Sequence, residues 1–281
     1  MHPILSHYQA QALLQARAAG TAVAAISLDL NLSTSPVTLS PQGVTLPDGR
    51  SLTFAQLTTI AANENACYLV TPENEIEKIH FFSETHNRFY SLMPTTGAPT
   101  MLVSGFPMHR IKDTDPHQDT ISKIKSVSPI TGHVLDTTMG LGYTAIMAAQ
   151  TAVSVTTIEL DPTVLDICRH NPWSQDLFTN PKITRLIGDA YDVVAQFPDA
   201  HFARILHDPP MFSLAGDLYA AEFYRQLYRI LTPKGRLFHY IGDPQSKSGR
   251  SVTRGVVRRL QEAGFHRVKP YPQAFGVVAY K

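Results

Sequence analysis

The chain has 281 residues, of which 43% are hydrophobic and 17% are charged, and its formal net charge is +1. This content is enough for a hydrophobic core, and no uncharged apolar run approaches the roughly 18 residues of a membrane-spanning helix. The chain has two cysteines, Cys67 and Cys168, which are too few for a disulfide framework or a Cys-rich metal site. We therefore expect a cytoplasmic protein with no metal. The lack of a long apolar run predicts no membrane contact.

The first part of the sequence predicts a small β-rich domain. Short stretches with period-two alternation run from about Thr21 to Gly105, separated by turn sequences such as SPQG, PDG and TPEN. One predicted helix precedes them, over His7 to Ala19, and another interrupts them, over Phe54 to Ala62. This part has no catalytic motif that we can identify. We therefore assign residues 1–108 to an accessory domain for substrate recognition.

In residues 109–281, predicted strands and helices alternate. Pro116, after Thr114 and Asp115, is typical of a helix start. The strands that follow are HVLD, VTTIEL, ITRLIG, ARILHD, GRLFHYIG, HRVKPY and GVVAY. Their alternation with helices predicts an α/β fold with a doubly wound, mostly parallel sheet of seven strands. Only PQAF separates the last two strands, which predicts an antiparallel hairpin at one edge.

A glycine turn follows the first of these strands. The segment VLDTTMGLGYTAIMAAQ places Gly140 and Gly142 between a strand and a helix. In a doubly wound sheet the ligand lies at such a turn, although this short motif is equally consistent with a simple tight turn. Glu159 lies 23 residues after Asp136, where a carboxylate binds the ribose hydroxyls of an adenosine cofactor. Its alternative role is capping the next helix, a position that Asp161 already holds.

The choice between a dinucleotide and a nucleoside depends on residues further along the chain. Ala145 at the third glycine position is compatible with either ligand. Asp189 stands at a strand end, where it could accept a hydrogen bond from an adenine amino group. Asp208 ends the fourth strand and is followed by Pro209 and Pro210. These features favour a nucleoside cofactor and a separate acceptor site.

From Thr114 to Lys281 the sequence resembles the class I S-adenosylmethionine-dependent methyltransferases. The motifs that carry the resemblance occur in order: DTTMGLG from Asp136, Glu159, GDA from Gly188, and DPP from Asp208. The resemblance implies a Rossmann-like fold and S-adenosyl-L-methionine as cofactor. It also implies these cofactor-binding residues: Asp136, Thr138, Gly140, Gly142, Tyr143, Glu159, Leu160, Asp189, Ala190 and Asp208. There are two departures from the family pattern. Thr138 stands at the usual first glycine, and Met211 stands at the usual aromatic position.

The DPP motif resembles that of family members that methylate planar or amide nitrogens. More narrowly, the sequence is similar to archaeal and cyanobacterial predicted methyltransferases associated with N4-methylation of a cytidine in small-subunit ribosomal RNA. Asp208 and the carbonyl group of Pro209 would each accept one N–H of an exocyclic amine, while Pro210 helps to fix the turn. Phe212 would stack on the extruded base, or else pack in the core. His207 points to the opposite face of its strand, so we expect a packing role for it.

A basic segment indicates an anionic partner. Between Arg225 and Lys269 the chain has eleven Lys or Arg residues but only two acidic residues, whereas the rest of the chain is acidic on balance. A helix is predicted from Arg250 to Ala263, with arginines on one face. We expect RNA, most simply ribosomal RNA, as the partner; a small anionic substrate and a solvated helix face are the alternatives. The candidate phosphate contacts are Lys247, Arg250, Arg254 and Arg258.

Methylation of an RNA base amine is therefore the leading hypothesis. Methylation of a small-molecule or protein amine would use the same turn. Aminopropyl transfer, as in spermidine synthases, would need a pair of carboxylates at the fourth-strand turn, where HDPPMF offers one. A non-enzymatic RNA-binding module would not need the cofactor positions. The target nucleotide, the number of methyl groups added and the oligomeric state stay open.

Overall fold

The computed structural model describes residues 2–212, 214–243 and 247–281, without the side chains of residues 247 and 248. Two compact units are present. The first comprises Met1–His117 and Thr163–Gln175, and the second comprises Gln118–Pro162 and Asp176–Lys281. Among the described residues, no helix is both long enough and apolar enough to cross a membrane.

The elements have the following bounds. The helices are α1 (His7–Ala18), α2 (Phe54–Ala61), α3 (Pro116–Val127), α4 (Tyr143–Ala149), α5 (Thr163–His170), α6 (Asp176–Thr179), α7 (Ala190–Ala195), α8 (Ala221–Ile230) and α9 (Lys247–Glu262). The strands before α3 are β1 (Ile4–Leu5), β2 (Val23–Ile26), β3 (Ser35–Leu39), β4 (Gly43–Thr45), β5 (Ser51–Thr53), β6 (Tyr68–Val70), β7 (Ile76–Lys78), β8 (His80–Ser83), β9 (Arg88–Met93), β10 (Thr100–Val103) and β11 (Phe106–Pro107). Those after α3 are β12 (His133–Asp136), β13 (Ser154–Glu159), β14 (Ile183–Ile187), β15 (Phe202–His207), β16 (Leu231–Tyr240), β17 (Arg267–Tyr271) and β18 (Gly276–Tyr280).

The first unit is built from small antiparallel sheets. In its described residues these sheets have the strand orders β1-β6-β7, β2-β3-β4-β5 and β11-β10-β9-β8. Helix α2 begins at a capping box, in which the Thr53 hydroxyl accepts the N–H of Gln56 and the Gln56 side chain accepts the N–H of Thr53. Leu57 and Ile60 of α2 are fully buried in the core of this unit. The apolar face of the helix therefore closes over the adjacent strands.

The second unit contains a sheet with the order β14-β13-β12-β15-β16-β18-β17. Strands β14, β13, β12, β15 and β16 pair in parallel, and β18 runs antiparallel to both neighbours. The predicted terminal hairpin is thus confirmed. The chain leaves β12 toward β13 on one side and returns to β15 on the other, so the order of the strands reverses between β12 and β15. The turns that follow these two strands lie at the same carboxyl edge, where α/β sheets bind ligands.

Apolar side chains on both faces of the sheet hold this edge in place. Leu135 of β12 and Ile205 of β15 are fully buried. Helix α8 packs on them with Phe223 and Leu227, four residues apart on one helix face. Each buried side chain of this size contributes about 1.5–3 kcal/mol relative to exposure. The polar residues at the strand ends are therefore supported by a rigid base.

Candidate active site

The glycine turn has a left-handed backbone that packs tightly on its neighbours. Gly142 has φ of 77°, and a Cβ at this position would lie 2.2 Å from Leu177 Cδ1. The N–H of Met139 donates to the carbonyl of Ile158 at 2.7 Å, which ties the turn to β13. Packing alone thus requires glycine at position 142, so evidence for a ligand must come from the side chains around the turn.

Glu159 joins the glycine turn to the end of β13. Its Oε2 accepts the N–H of Gly140 at 3.0 Å, and its Oε1 accepts the N–H of Asp161 at 3.1 Å. Burial raises the pKa of Glu159 to about 7, against the effect of these hydrogen bonds. Glu159 therefore fixes both the glycine turn and the backbone just after β13. The N–H of Leu160 also interacts with this carboxylate, which keeps acceptor capacity for one more donor, such as a ribose hydroxyl.

Asp136, at the end of β12, is fully buried. Its Oδ2 accepts the hydroxyl of Thr157 at 2.9 Å, whereas Oδ1 has no hydrogen-bond partner among the described residues. Burial raises the pKa of Asp136 to about 8. A buried oxygen with spare acceptor capacity at a ligand-binding edge fits a polar group of a cofactor.

Two apolar side chains lie beside these carboxylates. Leu160 and Ile187 follow or end the neighbouring strands β13 and β14, and they are 41% and 46% exposed. They lie at the carboxyl edge of the sheet, where an adenine ring is held in a nucleoside site. Ile187 was not among the sequence predictions, although its position just before Gly188 and Asp189 is a signal for it.

The remaining predicted cofactor residues differ in exposure. Asp189 is exposed and caps α7, since its Oδ1 accepts the N–H of Tyr191 at 2.8 Å. One of its oxygens is thereby committed to the backbone. Ala190 is buried at the first position of α7, and Tyr143 is buried at the first position of α4.

The turn after β15 is held through the carbonyl groups on both sides of Pro209. Thr138 donates its hydroxyl to the carbonyl of Asp208 at 2.8 Å, and Tyr219 donates its hydroxyl to the carbonyl of Pro210 at 3.0 Å. In the part of the chain that the structure describes, the Pro209 carbonyl and Asp208 Oδ1 have no hydrogen-bond partner. The turn thus presents two neighbouring oxygen acceptors. Thr138, a departure from the family pattern, has a specific structural role here.

A buried lysine, which the sequence analysis missed, contacts Asp208. Lys123 Nζ lies 2.5 Å from Asp208 Oδ2 and 2.6 Å from Asp119 Oδ2. The exposed fractions of the Lys123, Asp119 and Asp208 side chains are 5%, 0% and 23%. Burial lowers the pKa of Lys123, but the two carboxylates raise it by more, so the ammonium stays charged. Asp119 and Lys123 have an i,i+4 spacing on α3, which is visible in the sequence, but Asp208 is 85 residues away.

His207 has the packing role expected for it. Its Nε2 lies 2.9 Å from the carbonyl of Leu218, to which it must donate, and its Nδ1 therefore accepts the hydroxyl of Thr137 at 2.7 Å. Complete burial lowers the pKa of His207 to about 3. The ring is neutral at physiological pH and both nitrogens are engaged, so it is not available as a general base.

Phe212 is half exposed and contacts the edge of the Tyr219 ring at a centroid distance of 5.4 Å. The alternative that it is a core residue is therefore wrong. Met211 and Leu214 are also exposed. The segment that follows Pro210 thus offers apolar surface.

The three predicted arginines are exposed on α9. Arg258 pairs with Glu262 at 3.5 Å, and no ion pair is observed for Arg250 or Arg254 within the described residues. None of the three bonds to Asp208. The side chain of Lys247 lies outside the described residues. The basic face exists, while its contact with a ligand stays a prediction.

Comparison of folds supports the α/β assignment. A spermidine synthase from Thermotoga maritima superposes with a TM-score of 0.57 and 18% identity, over 75% of this chain and 76% of that chain. MNMC2 from Aquifex aeolicus superposes with a TM-score of 0.52 and 16% identity, over 68% and 70% of the two chains. At these identities the comparison shows a shared Rossmann-like fold and nothing more.

Comparison of sequences identifies closer relatives. No family model matches the chain. A polyamine aminopropyltransferase from Sulfolobus acidocaldarius is 36% identical over 87 residues, which is 30% of this chain and 29% of that protein. The Methanocaldococcus jannaschii protein named "Uncharacterized protein MJ1233" is 44% identical over 237 residues, which is 84% of this chain and 80% of that protein. The chain therefore belongs to the same family as MJ1233.

Proposed function

We propose that the protein is an S-adenosylmethionine-dependent enzyme that methylates an exocyclic base amine in RNA, with N4 of a cytidine in small-subunit ribosomal RNA as its target. The observation that carries this proposal is the turn after β15. Asp208 Oδ1 and the Pro209 carbonyl are both available to accept hydrogen bonds, while both flanking carbonyls are fixed by Thr138 and Tyr219. An amine with two N–H groups matches this pair of acceptors.

The residues at the glycine turn fit S-adenosylmethionine. The remaining acceptor capacity of Glu159 suits a ribose hydroxyl, and Leu160 and Ile187 offer apolar contact for adenine. The buried Oδ1 of Asp136 can accept a donor from the rest of the cofactor. When bound, the cofactor supplies an electrophilic methyl group on a sulfonium, and the C–N bond forms as the C–S bond breaks.

The acceptor turn overcomes the poor nucleophilicity of a base amine. Its lone pair is delocalised into the aromatic ring. Hydrogen bonds from its two N–H groups to Asp208 Oδ1 and the Pro209 carbonyl favour a more tetrahedral nitrogen with a localised lone pair. As the nitrogen gains its new bond it becomes positively charged, and its proton passes to Asp208 Oδ1. Orientation and charge stabilisation of this kind supply several orders of magnitude in rate.

Two features support RNA as the acceptor. Phe212, four residues after Asp208 in the chain, is half exposed, which suits stacking on an extruded base. Arg250, Arg254 and Arg258 form an exposed basic face on α9, the helix that follows β16. Tyr240, the last residue of β16, lies 5.2 Å from Lys123 Nζ, so the chain leaves the site shortly before it enters α9. Phosphate contacts on this face would direct a base toward the turn.

The direct test is transfer of a labelled methyl group. Purified protein is incubated with labelled S-adenosylmethionine and small-subunit ribosomal RNA from cells lacking the gene, and the nucleosides are analysed by mass spectrometry. We expect label in N4-methylcytidine with the wild type and none with Asp208→Asn. Label in a protein or a small amine, with none in RNA, would refute the RNA assignment.

Aminopropyl transfer is the second candidate, and a specific observation favours it. Asp119 is a second carboxylate near this turn, which the sequence analysis did not find, although the Lys123 ammonium lies between it and Asp208. The local similarity to a polyamine aminopropyltransferase points the same way. Incubation with decarboxylated S-adenosylmethionine and putrescine separates the two candidates: formation of spermidine, with no RNA methylation, would select this one.

A further inference from the structure

The cluster of Asp119, Lys123 and Asp208 has the composition of a binding site for an alkylammonium ion. Two carboxylate oxygens lie 2.5 and 2.6 Å from Lys123 Nζ, and the ring of Tyr240 lies 5.2 Å away. Paired carboxylates and an aromatic ring are the groups that bind cationic amines in proteins. In this protein the ammonium group between the two carboxylates is that of Lys123.

We propose that Lys123 determines the class of acceptor: its ammonium occupies the place of a cationic amine beside Asp208, so that the site accepts an uncharged amine. This inference rests on the proposed function in one respect, namely that the acceptor nitrogen meets Asp208. It adds the reason why an aliphatic polyamine is rejected and an exocyclic base amine is accepted.

The charges explain the selection. Lys123 engages Oδ2 of Asp208, which leaves Oδ1 for the acceptor. An aliphatic ammonium at Oδ1 would lie close to the Lys123 ammonium in a largely buried place, where like charges repel strongly. An uncharged base amine donates N–H to the same oxygen without adding a second positive charge. Burial raises the pKa of Asp208, and the Lys123 ammonium opposes this effect by favouring the ionised carboxylate.

Substitution with a small residue tests the proposal without any assay of catalysis. Lys123→Ala removes the side-chain atoms beyond Cβ, which together form a propylammonium group. The probe is therefore n-propylammonium chloride. The controls are n-propanol, which has the same carbon chain without the charge, and sodium chloride, which gives the same ionic strength. Lys125→Ala is the control on the same helix, because Lys125 is exposed. Lys123→Met is the second control, because it removes the charge but keeps the side-chain volume.

Thermal unfolding gives the readout. A ligand of this size can bind with a dissociation constant of about 1 mM, so about 100 mM of probe should raise the Tm of Lys123→Ala by at least roughly 3 °C. Wild type, Lys125→Ala and Lys123→Met should not respond beyond the salt control. If n-propylammonium raises the Tm of Lys123→Ala no more than n-propanol does, the proposal is overturned.

The buried carboxylates of Lys123→Ala could prevent folding without the probe. Recovery of folded protein only when n-propylammonium is present would support the proposal. If Lys123→Ala is not recovered under either condition, the double variant Asp119→Asn, Lys123→Ala restores the original charge of the cluster and is measured in the same way. A double variant that folds and does not respond to the probe counts against the proposal.

A competition experiment separates this inference from the proposed function. Putrescine at about 10 mM should leave RNA methylation by the wild type within about twofold and should inhibit Lys123→Ala at least about fivefold. If the wild type methylates RNA but the probe does not bind to Lys123→Ala, the inference fails and the function stands. If RNA is not methylated but the probe binds, the amine site stands and the acceptor must be sought elsewhere.

Discussion

Glu159 should make nucleoside binding depend on pH near neutrality. It accepts hydrogen bonds from ribose hydroxyls more strongly as the ionised carboxylate than as the neutral acid, and its pKa is raised to about 7 in the free protein. Affinity should therefore rise with pH, because the nucleoside binds the ionised form more tightly. By linkage, bound nucleoside should lower the pKa of Glu159.

The magnitude follows from the pKa and from the hydrogen bonds. With a pKa of about 7, Glu159 is about nine-tenths protonated at pH 6 and about nine-tenths ionised at pH 8, so the affinity should rise by up to about tenfold between them. Glu159→Gln should flatten the profile. It should also weaken binding at pH 8 by roughly 10- to 100-fold, since a hydrogen bond to a charged group contributes about 1.5–3 kcal/mol.

Calorimetric titration with 5′-methylthioadenosine is the suitable assay, because this nucleoside keeps adenine and ribose but carries no amine or carboxyl group that titrates in the same range. Asp136→Asn is the control, since the pKa of Asp136 is raised to about 8 and could add a second step. Equal wild-type affinity at pH 6 and pH 8 would refute the pKa argument. Unchanged affinity of a folded Glu159→Gln variant would remove Glu159 from the site.

Three further predictions test other parts of the site. Asp208→Asn should lower kcat, measured by single-turnover kinetics, by at least about 100-fold. It should leave the Kd for 5′-methylthioadenosine, measured by calorimetry, within about twofold. A variant that keeps most of its turnover would contradict the role of Asp208. Gly142→Ala should lower the free energy of unfolding, measured in urea, by about 2–5 kcal/mol, because the backbone is left-handed and the new Cβ overlaps Leu177. The control Gly20→Ala has φ of 70° but no atom within 4 Å of the new Cβ, so it should lose only about 1–2 kcal/mol. Equal losses would refute the overlap. Arg254→Gln should weaken RNA binding about equally across sequences and reduce the number of ions released on binding by about one. Binding titrations at several salt concentrations measure this number as the slope of log K against log salt. An unchanged slope would show that Arg254 is a solvated residue.

The sheet of the second unit could be predicted because its signals are local. Each strand is a short apolar run bounded by turn residues, and the PQAF spacer is too short for a helical crossover. Strand β3 in the first unit has a weaker local signal, because it contains Pro36. The structure shows why proline is tolerated there: Pro36 pairs with Ala25 of β2, while β4 pairs only with Thr38 and Leu39. The contact of Lys123 with Asp208 could not be read from the sequence, since it depends on how α3 packs against the end of β15.

Two consecutive threonines connect the proposed cofactor side of the site to the proposed acceptor side. The N–H of Thr137 donates to the carbonyl of Leu206 at 3.0 Å, its hydroxyl meets His207 Nδ1 at 2.7 Å, and the hydroxyl of Thr138 donates to the carbonyl of Asp208 at 2.8 Å. These bonds cross the point where the strand order reverses, between β12 and β15. Methyl transfer requires the donor carbon and the acceptor nitrogen to be aligned within a fraction of an ångström. A glycine at position 138 could not supply the third bond, so the departure from the family pattern strengthens the coupling between the two turns.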